Sequence, residues 1–159
     1  MDETLMLLEK DSRLTAKQIA AALGRDETQV QATIAKYEAE GTILKYTTLI
    51  NHDTLEEESI TALIEVKIAP QLGDGYDRIA QRIYQYDEVE SLYLMTGSYD
   101  LLVTMTARTM KDAAQFVYAH LAAIDGVTST ATHFIMKKYK EQHCVFMKEL
   151  EQEERLFFV

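Results

Sequence analysis

The chain has 159 residues, 47% of them hydrophobic, and its 26 acidic against 16 basic side chains leave a net charge of −10. That length and apolar content suffice for one ordinary domain or two small ones, and no stretch approaches the roughly 20 apolar residues of a membrane helix. The acidic excess excludes a protein that coats nucleic acid indiscriminately, since Lys and Arg must neutralise phosphate for such binding. The N-terminus, MDETLMLLEK, lacks the basic start of a secretory signal, so a cytoplasmic location without a membrane partner is expected. The single cysteine, Cys144, rules out an internal disulfide and speaks against a cysteine metal cluster.

Charge is unevenly spread. Residues 1–50 hold six basic and eight acidic side chains, a net −2, whereas the remaining 109 residues carry −8. In the first part the apolar spacing is helical: Leu5, Leu8, Ile19, Leu23, Val30, Ile34 and Tyr37, with breaks at Ser12 to Thr15 and at Gly24 to Asp26. Three short helices are predicted. Thr15 is placed to cap TAKQIAAAL, Gly24 to stop it, and Asp26 or Thr28 to cap a third helix that runs to about Gly41.

Two helices joined by LGRDE make a helix-turn-helix pattern over residues 1–50. In that motif the second helix lays its N-terminal residues against base edges in the major groove. Those residues are Thr28, Gln29, Gln31, Ala32 and Thr33, with Lys36 toward a phosphate. Gln and Thr can bond base edges and Ala can contact a thymine methyl, although a purely structural three-helix cluster has the same spacing.

Residues 51–59, NHDTLEEES, interrupt both rhythms and read as a linker. From residue 60 to 140 the order becomes strand, helix, strand, strand, helix, strand. ITALIEVKI alternates Ile60, Ala62, Ile64, Val66 and Ile68, the period of a half-buried strand. Pro70, Gly73 and Gly75 mark a loop, and Tyr76, Ile79, Ile83 and Tyr86 line one face of the helix that follows. Strands are expected at Val89 to Met95 and Leu101 to Ala107. Thr109 with Asp112 resembles a capping box for MKDAAQFVYAHLAAI, which Gly126 closes, and a last strand is expected from about Ser129 to Lys140.

This order predicts an α+β fold, a ferredoxin-like βαββαβ unit with both helices on one sheet face. The alternation assigns Leu63, Tyr93, Met95, Leu102, Ile135 and Tyr139 to the other face, more apolar surface than a monomer leaves to water, so a homodimer is expected. Residues 141–159 form a tail whose end, FMKELEQEERLFFV, reads as a short charged helix closed by Phe157, Phe158 and Val159.

The segments LLEKDSRLTAKQIAAALG, VQATIAKYEAEGTILKYTTLIN and TGSYDLLVTM, in that order, resemble the leucine-responsive/asparagine-operon regulator (Lrp/AsnC) family over about residues 4–140. Glu40 to Ile43 and the glycine-x-tyrosine-aspartate of Gly97 to Asp100 are especially similar. The resemblance implies a winged-helix-like DNA-binding domain and a regulation-of-amino-acid-metabolism (RAM) domain. It also implies dimers, often rings of dimers, and a small effector, usually an amino acid, bound near the hairpin where dimers meet. Gly97, Ser98, Tyr99 and Asp100 are the effector residues carried over, with backbone N–H groups for a carboxylate and Asp100 for an ammonium. A hairpin that needs only a glycine and a local cap explains the same residues.

One departure stands out. Where the family's reading helix is commonly basic, this chain has Ala32 and Thr33, and Glu27, Glu38 and Glu40 lie close by. DNA affinity is therefore expected to be weak per protomer and salt-sensitive, and an amino-acid-sensing oligomer that has lost DNA binding is the alternative. Catalysis has no support in motif: no G-x-S-x-G, P-loop or dinucleotide glycine pattern occurs, and His133, His143 and Cys144 lack metal-ligand spacing. No catalytic residue, metal ligand or cofactor is assigned.

Overall fold

The alternation of ITALIEVKI is realised in the central strand of a four-stranded antiparallel sheet. The computed structural model describes residues 2–56, 59–69 and 75–146, and its contacts divide the chain into two units, Met1–Ile50 and Asn51–Val159.

The first unit contains α1 (Glu3–Lys10), α2 (Ala16–Leu23) and α3 (Glu27–Ala39). Each start has a side-chain cap that satisfies otherwise orphaned N–H groups. The Asp2 carboxylate accepts from Thr4 N–H at 2.7 Å. Thr15 and Gln18 make the reciprocal capping box of α2. Asp26 accepts from the backbone N–H groups of Thr28 and Gln29. Gly24 ends α2 at φ +63, a left-handed conformation that costs glycine nothing. Leu8, Ile19, Ala20 and Val30 are buried between the helices, with Leu14, Leu23, Ile34 and Ile43 packed around them. Thr4 is also fully buried, and its hydroxyl has no hydrogen-bond partner among the described residues. Residues 44–50 pair with no described strand, leaving Leu44, Tyr46 and Ile50 exposed.

In the second unit, Asn51 caps a short 3-10 turn, His52–Thr54, within the expected linker. Then come β1 (Ile60–Ile68), α4 (Gly75–Tyr84), β2 (Val89–Leu94), β3 (Leu101–Ala107), α5 (Met110–Phe116) and β4 (Val127–Phe134). The strand order is β2-β3-β1-β4. Ala62, Ile64 and Val66 of β1 and Val103 of β3 have no solvent exposure. They pack with Ile79 and Ile83 of α4 and Ala113, Phe116 and Leu121 from α5 and its continuation, so both helices cover one face. Thr109 and Asp112 form the predicted capping box. Beyond Phe116 the backbone widens into a π-helical stretch, Val117–Leu121, which periodicity alone does not reveal because its apolar side chains still face the core.

Several boundaries differ from the expected ones: the helix capped by Thr109 closes at Ala122, not at Gly126, because Gly126 lies in the turn before β4, and α4 ends at Tyr84, before Tyr86. The last strand ends at Phe134 rather than near Lys140. Register explains this: Ala62 pairs with Phe134 and β1 begins at Ile60, so beyond residue 136 there is nothing left to bond. Lys140–Glu141 and Cys144–Val145 instead form a separate small hairpin, β5 and β6, turning through Gln142 and His143 at positive φ. The first helix of this unit begins at Gly75, so that glycine opens α4 rather than belonging to the loop before it. Pro70, Gly73 and the terminal Phe157, Phe158 and Val159 lie outside the described residues.

The open sheet face is more mixed than alternation suggested. One cross-strand row runs Tyr93, Leu102, Glu65, Ala131 and the next runs Ser91, Thr104, Leu63, His133. Glu65 and His133 stand 3.2 Å apart across that face. Tyr93 is exposed, and Leu63, Leu102 and Ile135 are half-buried. Met95 and Tyr139 fall beyond the ends of their strands and are not part of the ladder.

The cap of α3 sets a pH dependence. Hydrogen bonds from Thr28, first its hydroxyl and then its N–H, together with Gln29 N–H, hold the Asp26 carboxyl below its ordinary value of 3.8. A depressed folded-state pKa contributes stability that is complete above the unfolded value and is lost as pH falls through the folded one. Asp26→Ala is therefore expected to lower the melting temperature of the helical unit at pH 7. The gap to wild type should close in thermal melts taken below the carboxylate range.

Candidate functional site

Most of the residues expected to contact DNA are exposed on α3, but most of them already have partners. Thr28, Gln29, Gln31, Ala32 and Lys36 are exposed, on the side of α3 away from buried Val30. Thr33 is half-buried, and its hydroxyl donates to the Gln29 carbonyl at 2.8 Å. The Thr28 hydroxyl donates to Asp26. The Gln31 amide donates to Glu27 at 3.3 Å, and the Lys36 ammonium lies 3.8 Å from Glu40. Only Gln29 and Ala32 leave their side chains uncommitted. An exposed i,i+4 ion pair such as Lys36–Glu40 is worth well under about 1 kcal/mol, so a phosphate can displace it.

The helix-turn-helix holds more positive charge than its reading helix shows. Arg25, in the turn before α3, lies 2.7 Å from Glu3 and 3.8 Å from Asp2. Asp2 also accepts from the Tyr37 hydroxyl at 3.2 Å, so the chain start braces both ends of the turn-and-helix element. The Asp2 carboxyl is held below its usual value chiefly by Thr4 N–H. Arg13 is paired with Asp11, whose carboxyl it pulls down to about 2. Lys10, Lys17 and Lys45 make no ion pair with the described residues. Sequence reasoning passed over Arg25 because its partners lie 22 and 23 positions away.

At the second candidate site the connection between β2 and β3 runs over residues 95–100, one residue longer than expected, and is closed by Met95 N–H donating to the Asp100 carbonyl at 2.8 Å. Gly97 sits at φ +131 with nothing within 4 Å of where a Cβ would project. Glycine is thus required by backbone conformation, and the space above it is open. The N–H groups of Gly97, Ser98 and Tyr99 donate to no described residue. Three adjacent free donors at an exposed bend suit an anion.

Asp100 has a role that the local hairpin did not suggest. Its Oδ2 accepts from the backbone N–H of Ile68 at 2.7 Å, and Tyr76 Oη–H donates to Oδ1 at 3.4 Å. Asp100 N–H in turn donates to the Val66 carbonyl at 3.0 Å. The residue joins the end of β1, the start of β3 and the start of α4. A carboxylate has about four lone-pair positions, so two occupied ones leave capacity for a cation. Beside this junction an open groove of about 360 Å3 runs between α4 and β2, lined by Tyr76, Asp77, Tyr84, Ser91, Leu94 and Leu101. Gly97, Ser98 and Tyr99 do not line it, so within one chain the four predicted residues form an exposed edge rather than a walled pocket.

Among the described residues no group of three His, Cys, Asp or Glu side chains converges on a metal position, and no helix is long and apolar enough to cross a membrane.

Comparison with known proteins identifies the family. Residues 61–144 match the model of the Lrp/AsnC ligand binding domain. The chain is 43% identical over 145 residues to the HTH-type transcriptional regulator YugG of Bacillus subtilis, spanning 91% of this chain and 87% of that protein. It is 30% identical over 136 residues to the HTH-type transcriptional regulator LrpA of Pyrococcus horikoshii, spanning 86% and 94% respectively. The fold is shared with a Neisseria meningitidis transcriptional regulator, NMB0573, solved in complex with L-Met. That match has a TM-score of 0.72 at 23% identity and covers 89% of this chain and 93% of that one. With a helix-turn-helix leading into a matched ligand-binding domain, the chain belongs to the Lrp/AsnC family of HTH-type transcriptional regulators.

Proposed function

We propose that this regulator works in the cytoplasm without catalysing a reaction, reading DNA through α3 and sensing a small amino acid at the 97–100 edge. The row of free N–H donors at Gly97, Ser98 and Tyr99 beside the Asp100 carboxylate carries the effector reading. An α-amino acid offers a carboxylate and an ammonium one bond-pair apart, which matches adjacent donors and an acceptor with lone pairs to spare. That the Neisseria meningitidis relative was solved with L-Met supports the same ligand class. Since one chain leaves this edge without walls, a second copy supplies them, and the open face around Leu102 and Tyr93 is where copies meet first. Rings of such dimers follow if the 97–100 edges also face one another.

DNA binding on this reading takes place in two steps. Lysine and arginine side chains approach phosphates, giving affinity without sequence preference, and Gln29 and Ala32 then meet base edges. Lys36→Glu is expected to weaken binding to the protein's own upstream region at low salt and to reduce the slope of log K against log salt by more than about one. Gln29→Ala should instead lower discrimination between sites by about 1–3 kcal/mol with little change in slope. Gel shifts over a salt series measure both, and no binding at low salt with or without amino acid would favour the DNA-free sensor.

Assembly and sensing have separate tests. Leu102→Glu places a second carboxylate opposite Glu65, so light scattering should report smaller species than wild type; a wild type already monomeric at micromolar concentration would end the shared-interface reading. For the effector, Asp100→Asn keeps an acceptor for Ile68 N–H and should leave the unliganded melting temperature close to wild type. It removes the ionic partner of an ammonium, so calorimetric titration with the amino acid that stabilises wild type should show affinity about ten- to a hundred-fold lower. Unchanged affinity would move the effector elsewhere.

A further inference from the structure

The helix layer has a second concavity, at the opposite end of α4 from Tyr76. Arg82, Gln85 and Tyr86 form one wall and Ala119, His120 and Ile124 the other, around a volume of about 530 Å3. That is the size range of small-molecule sites. Its base is aromatic. Tyr86 meets Phe116 edge-on with ring centroids 5.4 Å apart, and His120 lies tilted against both, 4.7 Å from Tyr86 and 5.1 Å from Phe116. Tyr86 and His120 thus line the groove, and buried Phe116 backs both of them from the core.

The backbone at this point is unusual in the same place. His120 lies within Val117–Leu121, the π-helical stretch, while Val117 and Leu121 on either side remain buried in the core. A π turn is a poor hydrogen-bonding geometry that recurs where a site needs a side chain redirected. Core packing does not call for it, since a regular helix can also present an apolar stripe. The polar groups around the base are uncommitted: His120 makes no hydrogen bond and Arg82 no ion pair with the described residues. Arg82 is the one charged side chain among the residues that line the groove.

We propose that this groove binds a small organic anion with a flat apolar body, an aromatic carboxylate. The Arg82 guanidinium presents paired N–H donors to the carboxylate, a geometry that lysine does not reproduce. The ring of the ligand lies against Tyr86 and His120, where offset or edge contacts add to the area buried. Gln85 supplies a neutral donor at the rim. The site is separate from the 97–100 edge and does not depend on that edge binding an amino acid.

The test uses 4-fluorobenzoate, whose fluorine signal broadens and shifts on binding whatever the size of the assembly. Saturable, millimolar binding to the full-length protein is expected, displaced by benzoate and at least about tenfold less well by benzamide, which lacks the charge. Arg82→Gln, a change at an exposed position that should leave the melting temperature unaltered, should weaken binding about tenfold or more. His120→Leu should also weaken it, whereas Asp100→Asn should not. Absence of saturable binding, equal affinity in Arg82→Gln, or loss of binding in Asp100→Asn would each overturn the assignment.

Discussion

The second unit is organised by one strand. β1 is bonded on both sides, to β3 and to β4, and its inward side chains at 62, 64 and 66 have no exposure at all. Side-chain period in a strand is two, so a slip of one residue would carry every one of those side chains to the opposite face. Burial of Ile64 and Val66 thus fixes the register of three strands at once. It also fixes which residues are opposed on the open face: Glu65 falls beside Leu102 and Ala131, and Leu63 beside Thr104 and His133.

The Asp100 junction follows from that register. Val66 pairs with Leu101, and Ile68 lies two positions beyond Val66, where its N–H has passed the end of β3. A buried strand end leaves such a donor unsatisfied at a cost of about 1–3 kcal/mol unless a side chain reaches it. Asp100, immediately before β3, is the residue whose carboxylate is in range. Its neighbours in sequence, Gly97, Ser98 and Tyr99, have N–H groups that donate to no described residue. The aspartate is held rigidly by β1 and α4, so a ligand meeting it pays little ordering entropy.

How much of this could be read from sequence depends on the range of each interaction. Thr15, Asp26 and the Thr109–Asp112 pair act within three residues, and their identity and spacing suffice to recognise them. Alternation in ITALIEVKI and the helical spacing of Ile79 and Ile83 predicted the buried face because period is local geometry. The end of β4 was missed because it is set by where β1 begins, not by its own residues, and MKKY is as compatible with a strand as with coil. The candidate site was half legible. Gly97 and its positive φ belong to the local pattern, but the partners of Asp100 lie 32 and 24 positions earlier in the chain, beyond any spacing rule. The commitment of Thr28, Gln31 and Lys36 to Asp26, Glu27 and Glu40 is by contrast made across two to four positions, within the spacing of a helix face or cap, and is legible in principle.

That commitment bears on how an acidic regulator uses DNA. Were α3 to enter a major groove as proposed, Thr28, Gln31, Thr33 and Lys36 would each exchange an internal partner for a base or phosphate, so the net gain from those contacts would be small. The carboxylates of Glu27, Glu38 and Glu40 remain near the phosphates and reduce it further. Weak contacts still give tight binding when several helices are linked, because each later contact is made at the high effective concentration set by the first. If copies assemble as proposed, assembly is the variable that controls occupancy: a ligand bound between copies would change the number of linked helices without touching α3. In a chain with a strongly basic reading helix one dimer could hold DNA unaided, and the same ligand would change little. On the proposed reading, the acidity of this sequence therefore strengthens the dependence of DNA binding on the effector.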